Sequence, residues 1–306
     1  MNKKVEAIDV LPIVLMGSLF VLIDLLALLV AGPFEAAGAV AFVDPEEPLN
    51  LVYFFVILVV FTAVILLIAK YGKKQLVQGI ILGATAILDL YVFYPLLALV
   101  LPWELSLGLS VVFAGILLVL LVKFPEWYII DLSAIITGVG ATAMLGISLS
   151  VFLVIILLIG MAIYDAISVY RTRHMVDLAD TLVDLKLPVL FVIPKTKDYS
   201  LIKEKKSLKE KLKEGEKRDA FFMGAGDVVM PGLLAAAAFH TLPSNGFLVA
   251  LSVIIGTLVG FALLMVFVLK GKPQAGLPFL CPGAILGYVV SSYLLFGGIV
   301  GISLPF

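Results

Sequence analysis

The sequence predicts an all-α membrane protein with nine transmembrane helices. Hydrophobic residues make up 62% of the 306 residues, and the mean hydropathy is +1.19, whereas soluble domains are about 45 to 50% apolar. Apolar segments of about 20 residues, the length that crosses a bilayer, recur along the chain. Basic residues lie between alternate segments. We therefore expect a multi-pass integral protein that is surrounded by a lipid bilayer and has no nucleic-acid partner.

Each predicted span is an apolar run that is bounded by charged or turn-forming residues. The fifth and sixth runs almost touch, and the boundary between them is placed after Ser148. The nine spans run from Val10 to Ala31, Leu51 to Ala69, Leu76 to Val100, Leu105 to Val122, Tyr128 to Ser148, Leu149 to Tyr170, Ala220 to Leu242, Phe247 to Leu269 and Leu277 to Phe296.

The distribution of charge predicts the orientation of these spans. Every lysine and arginine falls on one side of the membrane, and the charged residues of the opposite loops are acidic, from Glu35 to Glu47 and at Glu104. The positive-inside rule then places the N-terminus in the cytoplasm and the C-terminus outside the cell. The 21 basic residues lie at Lys3 and Lys4, Lys70 to Lys74, Lys123, Arg171 to Arg218, and Lys270 and Lys272.

The spans divide the chain into residues 1–170, a cytoplasmic segment over residues 171–219, and residues 220–306. The cytoplasmic segment contains 13 basic and 9 acidic residues, so it is expected to lie in water. From Met175 to Leu185 the apolar residues recur at helical spacing, which predicts a continuation of the sixth helix or an amphipathic helix on the membrane surface. The Lys/Glu-rich stretch from Lys203 to Lys217 is typical of a solvated linker.

A short β-prone run, Val189 to Ile193, lies between Pro188 and Pro194. It is too short to span a membrane and too apolar to remain free in water. Such a run can bind an extended peptide by strand addition, which makes Phe191 at its centre a candidate binding residue. The alternative is a loop that is held against the membrane face.

Two aspartates, Asp165 and Asp227, lie inside predicted spans. A charged acid there costs about 2.5 to 3.5 kcal/mol on insertion scales, so it normally faces a partner or a water-filled cavity and has a function. The two spans run in opposite directions, and each acid lies about six residues, or about 9 Å, from the cytoplasmic end. Two close carboxyls can share one proton, which supplies an acid and a base to activate water. We therefore predict a catalytic pair that uses no metal and no cofactor.

The residues around Asp227 are ones that loosen a helix. Gly224 and Gly226 remove side-chain bulk beside it. Pro231, four residues later, has no N–H group to offer to the Asp227 carbonyl. The sequence therefore predicts a kink or an unwound turn, which a membrane protein tolerates only against protein or water.

These motifs resemble those of a known family. Tyr164-Asp165 in one span and Gly224-Ala225-Gly226-Asp227 in the next, 62 residues on, are similar to the presenilin and signal peptide peptidase class of Gly-x-Gly-Asp intramembrane aspartyl proteases. A third motif of that family, Pro-Ala-Leu, aligns with Ala275-Gly276-Leu277, of which Leu277 alone matches, and Pro278 follows as in the family. The resemblance is closest to archaeal presenilin homologues.

The resemblance implies an aspartic endopeptidase that hydrolyses peptide bonds within the transmembrane helices of single-span membrane proteins. Asp165 and Asp227 would activate one water, and the loop from Ala275 to Pro278 would pack beside them and help to hold the substrate strand. Gly276 would permit a close approach of the backbone. The resemblance also implies the plasma membrane of a prokaryote, while the oligomeric state is not indicated.

Three alternatives remain open from the sequence. A cation or proton transporter or channel can also use buried acids. A signal peptide peptidase has the same chemistry in the opposite orientation, against which the lysines and arginines argue. A prepilin peptidase also uses Gly-x-Gly-Asp, but there a lysine commonly stands two residues after the acid, where this chain has Val229.

Three further acids in predicted spans match no motif. Hydrogen bonds between helices explain Asp24 and Asp89 as well as a function does. Asp131 lies with Glu126 near a helix start, where the helix dipole favours an acid.

Overall fold

The computed structural model describes residues 7–71, 74–172, 185–196, 199–202, 219–242, 244–269 and 274–302. Almost all of the predicted helix from Met175 to Leu185, and the linker from Lys203 to Lys217, lie outside these ranges. Within the ranges there are nine α-helices: α1 (Ala7–Ala36), α2 (Leu49–Tyr71), α3 (Lys74–Ala98), α4 (Trp103–Lys123), α5 (Trp127–Ile147), α6 (Val151–Ala166), α7 (Ala225–Thr241), α8 (Gly246–Val268) and α9 (Leu277–Phe296).

Seven of these helices are long and apolar enough to cross a membrane. They are α1, α3, α4, α5, α6 together with the turn that follows it, α8 and α9. The described apolar part of α2, Leu49–Ile65, is shorter, and α7 has 17 residues. The chain is therefore a multi-pass membrane protein, as the composition predicts.

The boundary between α5 and α6 is set by serines that bond to the loop after α1. Ser150 is the N-cap of α6, and its side chain accepts a hydrogen bond from the N–H of Leu153 at 3.5 Å. The N–H of Ser150 donates to the carbonyl of Pro45 at 2.8 Å. Ser148 Oγ accepts from the N–H of Ala41 at 2.7 Å. The two loops, which the sequence places on the same side of the membrane, are thus in contact.

The chain folds into two compact units that do not follow chain order. One comprises Met1–Val52, Gly138–Arg173 and Gly226–Phe306, and the other comprises Tyr53–Thr137 and His174–Ala225. The first unit contains both candidate catalytic acids.

Glycines allow α8 and α9, in the first unit, to pack closely. Gly256 and Gly260 of α8 lie against the backbone carbonyls of Gly283 and Phe279 in α9, and Gly287 of α9 lies equally close to α8. A β-carbon at these glycines would overlap a backbone oxygen. Small residues four apart let two helix backbones approach in this way inside a membrane. The contact fixes the position of α9, whose first turn forms part of the site.

The second unit contains an antiparallel pair of strands, β1 (Leu190–Pro194) and β2 (Ala220–Gly224). β1 confirms the strand-like run predicted between the two prolines. The prediction that the seventh span begins at Ala220 is wrong, because residues 220–224 are a strand and the helix begins at Ala225. A short apolar run does not distinguish a strand from a helix, and here β1 supplies the hydrogen-bond partners that a strand needs.

Two acids of the second unit hold the segment around β1. Asp131 of α5 is buried, and its Oδ1 accepts the N–H of Val192 at 2.7 Å. Glu126 accepts hydrogen bonds from Ser200 Oγ at 2.6 Å and from the N–H of Leu201 at 3.1 Å. The sequence explains both acids by the helix dipole, whereas the structure shows that their carboxylates bind backbone and side-chain donors distant in sequence.

Candidate active site

Asp165 lies at the end of α6 and is buried, with 7% of its surface exposed. The α-helix ends at Ala166 and continues as a π-helix from Ile167 to Thr172, a conformation that is often found at functional sites. Asp165 Oδ2 accepts a hydrogen bond from the N–H of Leu277 at 3.0 Å. Because Leu277 is the first residue of α9, this N–H has no partner within its own helix. The positive end of the α9 dipole therefore faces the carboxyl.

Asp227 is the third residue of α7 and is partly exposed. The sequence places it about six residues into a helix, but the structure places a strand before it, so the polypeptide approaches Asp227 in an extended form. Of the kink or unwound turn predicted around Pro231, the unwound turn is absent, since α7 is helical from Ala225 to Thr241, and the kink stays a prediction. The missing N–H of Pro231 removes one hydrogen bond from the helix and does not end it.

Gly276 connects the two acids. A β-carbon on Gly276 would lie 2.8 Å from Oδ2 and 3.0 Å from Cγ of Asp227, so the Asp227 carboxyl rests on this glycine. The next residue, Leu277, donates its N–H to Asp165. Of two consecutive residues at the start of α9, Gly276 thus contacts Asp227 and Leu277 contacts Asp165.

Of the other predicted site residues, Tyr164, Gly226 and Pro278 lie in the first unit, and Gly224 and Phe191 lie in the second. Tyr164 precedes Asp165 in α6 and is partly buried, and Pro278 is the second residue of α9, where its missing N–H costs little. No atom lies within 4 Å of the position that a β-carbon on Gly226 would occupy. Gly224 and Phe191 lie in the strand pair of the second unit, where Gly224 is opposite Leu190 and Phe191 is opposite Met223.

Tyr170 is a residue of this site that the sequence does not indicate. Its hydroxyl donates to Gln274 Oε1 at 2.9 Å and accepts the N–H of Ala275 at 3.3 Å. It lies in the π-helical turn, five residues after Asp165. A tyrosine at the end of an apolar span is ordinarily explained as an interfacial anchor, so its sequence context carries no signal of this contact.

Cys281 and Asp24 are two other buried groups of the first unit. Cys281, one turn after Leu277 in α9, is buried. Asp24 of α1 lies against Gly232 of α7, close to Thr142. Within the described residues no hydrogen-bond donor reaches either carboxyl oxygen of Asp24. Asp89, in the second unit, is buried with no such donor either.

The chemistry of the site is that of two carboxyls at one helix start. Within the part of the chain that the structure describes, no group of three or more His, Cys, Asp or Glu side chains could hold a metal ion. Two carboxyls that share a proton can act as general base and general acid on one water.

Comparisons with known proteins show the family of the chain. The family model described as "Signal-peptide peptidase, presenilin aspartyl protease" matches residues 17–299. One solved structure, described as a presenilin family intramembrane aspartate protease in space group C222, is 29% identical with a TM-score of 0.66 and covers 94% of this chain and 99% of that one. A second, in space group P2, is 32% identical with a TM-score of 0.66 and covers 91% and 96%. A search of curated protein sequences found no match.

Proposed function

Because the chain belongs to the signal-peptide peptidase and presenilin aspartyl protease family and is therefore an intramembrane aspartyl protease, we propose that Asp165 and Asp227 are its catalytic residues. The observation that carries this proposal is their convergence on Gly276 and Leu277. A structural role for either acid alone would not require that both contact consecutive residues of one helix start.

The pair would hydrolyse a peptide bond with one water and no metal. The ionised carboxyl takes a proton from the water, whose oxygen attacks the carbonyl carbon. The protonated carboxyl donates its proton to the carbonyl oxygen. When the tetrahedral diol collapses, the C–N bond breaks, the nitrogen takes up the proton that the first carboxyl removed from water, and the second carboxylate takes a proton from a hydroxyl of the diol, so the pair returns to its starting state. The two carboxyls thus exchange roles within one turnover.

The proposed substrates are single-span membrane proteins that are cut within their transmembrane helix. A helix satisfies its own carbonyl groups, so the segment to be cut has to unwind, and its freed backbone groups need new partners inside the membrane. β2 offers such partners. It ends at Gly224, three residues before Asp227, so a peptide that pairs with β2 lies beside the strand that leads directly to a catalytic acid.

The hydrogen-bond pattern indicates which edge of the strand pair is open. The N–H of Ala225 donates to Val189 and the N–H of Lys195 donates to Asp219. With the observed antiparallel register, the alternation of an antiparallel ladder then directs the N–H of Phe222 away from β1. On the outer edge of β1, by contrast, the N–H of Val192 is bound to Asp131, and Pro194 has no N–H. We therefore propose that the substrate strand adds to β2.

This assignment refines the role of Phe191. In the strand pair Phe191 of β1 lies opposite Met223 of β2, so its backbone N–H and C=O point towards β2. Its side chain is fully buried. We propose that Phe191 holds β2 in place through this backbone pairing and does not contact the substrate. The segment from Ala275 to Pro278 borders the acids. We propose that Tyr164, Gly224 and Gly226 shape the site around the acids, as the family resemblance implies, and that Pro231 does so through its missing N–H.

We also propose nine spans with a cytoplasmic N-terminus and an external C-terminus, in the plasma membrane of a prokaryote. Contacts between loops support the number of spans, because the loops in contact lie on the same side of the membrane in the nine-span arrangement. Glu35, at the end of α1, lies 3.7 Å from His240, at the end of α7, and the loop after α1 contacts Ser150. Tyr170 likewise contacts Gln274, which the nine-span arrangement places on the cytoplasmic side.

The experiment that tests this function uses the purified full chain in liposomes with a single-span test substrate, and identifies the products by mass spectrometry. We expect two fragments whose new ends lie within the substrate span, and labelling of the enzyme by an aspartyl transition-state analogue. Proton or cation flux without any cleavage or labelling would support the transporter alternative instead.

A further inference from the structure

We propose that Tyr170 is a positioning residue for the catalytic pair: its hydroxyl fastens the segment before α9 to the helix that carries Asp165. The inference rests on the proposed function, because it concerns how the pair of acids is held. It adds a residue that belongs to none of the motifs on which the family resemblance depends.

The contacts form two attachments at alternate residues of one segment. The Tyr170 hydroxyl binds the N–H of Ala275 at 3.3 Å and Gln274 Oε1 at 2.9 Å. Asp165 Oδ2 binds the N–H of Leu277 at 3.0 Å. The two acceptors, the Tyr170 hydroxyl and Asp165 Oδ2, belong to one continuous helical stretch, which consists of α6 and the π-helical turn. The segment from Gln274 to Leu277 is thus tied to that stretch at two points.

Gly276 lies between these two attachments and faces the Asp227 carboxyl. A displacement of the segment would therefore move the Leu277 N–H relative to Asp165 and, at the same time, the surface on which Asp227 rests. The Tyr170 hydroxyl bonds to Gln274 and Ala275 and, among the described residues, to neither acid. Its effect on the acids passes through the backbone of residues 275–277.

The π-helical turn is what brings the hydroxyl to this position. Tyr170 follows Asp165 by five residues, so in a regular α-helix with 3.6 residues per turn the two side chains would point in clearly different directions. The i to i+5 pattern of a π-helix brings residues five apart closer in angle. Asp165 lies in the last turn of α6, and the wider turn from Ile167 to Thr172 that follows it reduces the angle between the side chains of Asp165 and Tyr170.

Tyr170 can be replaced with little effect on packing, because 52% of its surface is exposed. Replacing it with phenylalanine removes the hydroxyl and keeps the ring. Tyr293 in α9 is a matched control, since it is 58% exposed and is remote in sequence from the first turn of that helix. Gln274→Ala removes one partner of the hydroxyl from the opposite side and leaves Tyr170 intact.

The measurements are kcat and KM for a single-span test substrate, together with hydrogen–deuterium exchange of the peptide that contains residues 274–280. For Tyr170→Phe we expect kcat to fall about tenfold with KM unchanged, because misplaced catalytic groups slow the chemical step. Exchange in residues 274–280 should become faster. Gln274→Ala should act in the same direction, and the double variant should lose less than the sum of the two single effects.

Unchanged kcat and unchanged exchange in Tyr170→Phe, with an active wild type, would overturn the inference. A rise in KM alone would also overturn it, because it would place Tyr170 in contact with the substrate. An equal loss in Tyr293→Phe would show a general effect of removing a hydroxyl. If the wild type cleaves nothing, the proposed function fails, while faster exchange in Tyr170→Phe would still report the attachment. If Tyr170→Phe does not fold, the Gln274→Ala result decides.

Discussion

At the scale of single residues, the site depends on a glycine that allows two acids to reach one turn of helix. The sequence identifies Asp165 and Asp227 because a carboxyl inside an apolar span is costly and recognisable. It also marks Gly276 as a place of close approach. It does not indicate that Leu277 binds one acid while Gly276 touches the other, because such contacts depend on how α9 packs.

Enlarging Gly276 should reduce activity in proportion to the added size. Gly276→Ala places a methyl group 2.8 Å from Asp227 Oδ2, and a small shift of the carboxyl can relieve this contact, in keeping with the alanine of the Pro-Ala-Leu motif. Gly276→Val requires a larger shift and should lower kcat by about a hundredfold. Cleavage assays measure the effect. Gly115→Val in α4, where no atom lies within 4 Å of a β-carbon, is the control, and equal activity of Gly276→Val and wild type would refute the contact.

Asp24 tests whether a third buried acid takes part in the reaction. It is 1% exposed, and no donor among the described residues reaches its oxygens. Asp24→Asn keeps the shape and removes any charge to be buried, so we expect unchanged cleavage and a stability equal to or up to about 1 kcal/mol above that of the wild type. Thermal melts and cleavage rates measure this. A complete loss of activity in a folded Asp24→Asn variant would place Asp24 in the mechanism.

At the scale of elements, the strand pair shows where a sequence pattern is insufficient. The prolines around Val189 to Ile193 indicate a short strand, and β1 forms there. Ala220 to Gly224 continues without a break into the apolar residues of α7, so the hydropathy pattern assigns both to one span. The pairing of β2 with β1 involves residues about 30 apart in sequence, and no local pattern predicts such a partner.

A proline in β2 should block substrate binding and leave the strand pair intact. Phe222→Pro removes an N–H that points away from β1, and proline is tolerated at such an edge position. We expect cleavage of a single-span substrate to fall about tenfold, the equivalent of roughly one backbone hydrogen bond. Phe222→Ala is the control, because it shortens the same side chain and keeps the N–H, so it should reduce cleavage much less than Phe222→Pro does. Equal rates for Phe222→Pro and wild type would mean that the substrate does not pair with this edge.

At the scale of the whole molecule, composition and charge predict most of the architecture. Each of the nine helices of the described residues coincides with a predicted apolar run, because each run is bounded by charges or turns, and seven of these helices are long and apolar enough to cross a membrane. The exceptions are α7, whose span starts with a strand, and the two compact units, which join segments distant in the chain. Such groupings follow from helix packing, which the order of the spans in the sequence does not predict.

The orientation of the spans can be measured directly. Because all 21 lysines and arginines fall on one side in the nine-span arrangement, we expect the N-terminus in the cytoplasm and the C-terminus outside. Reporters of cytoplasmic or external location, fused to each end in cells, should give opposite signals. Two cytoplasmic ends would contradict the nine-span arrangement, and reversed signals would support the signal peptide peptidase orientation.

The central claim is that Asp165 and Asp227 act together, and product formation across pH tests it most directly. The measurement compares the wild type with Asp165→Asn and Asp227→Asn, with thermal melts as the control for folding. We expect a bell-shaped profile for the wild type, because the pair needs one protonated and one ionised carboxyl. Each asparagine variant should fold and form no product at any pH, since an amide cannot exchange the proton. Appreciable turnover by either folded variant would contradict the assignment.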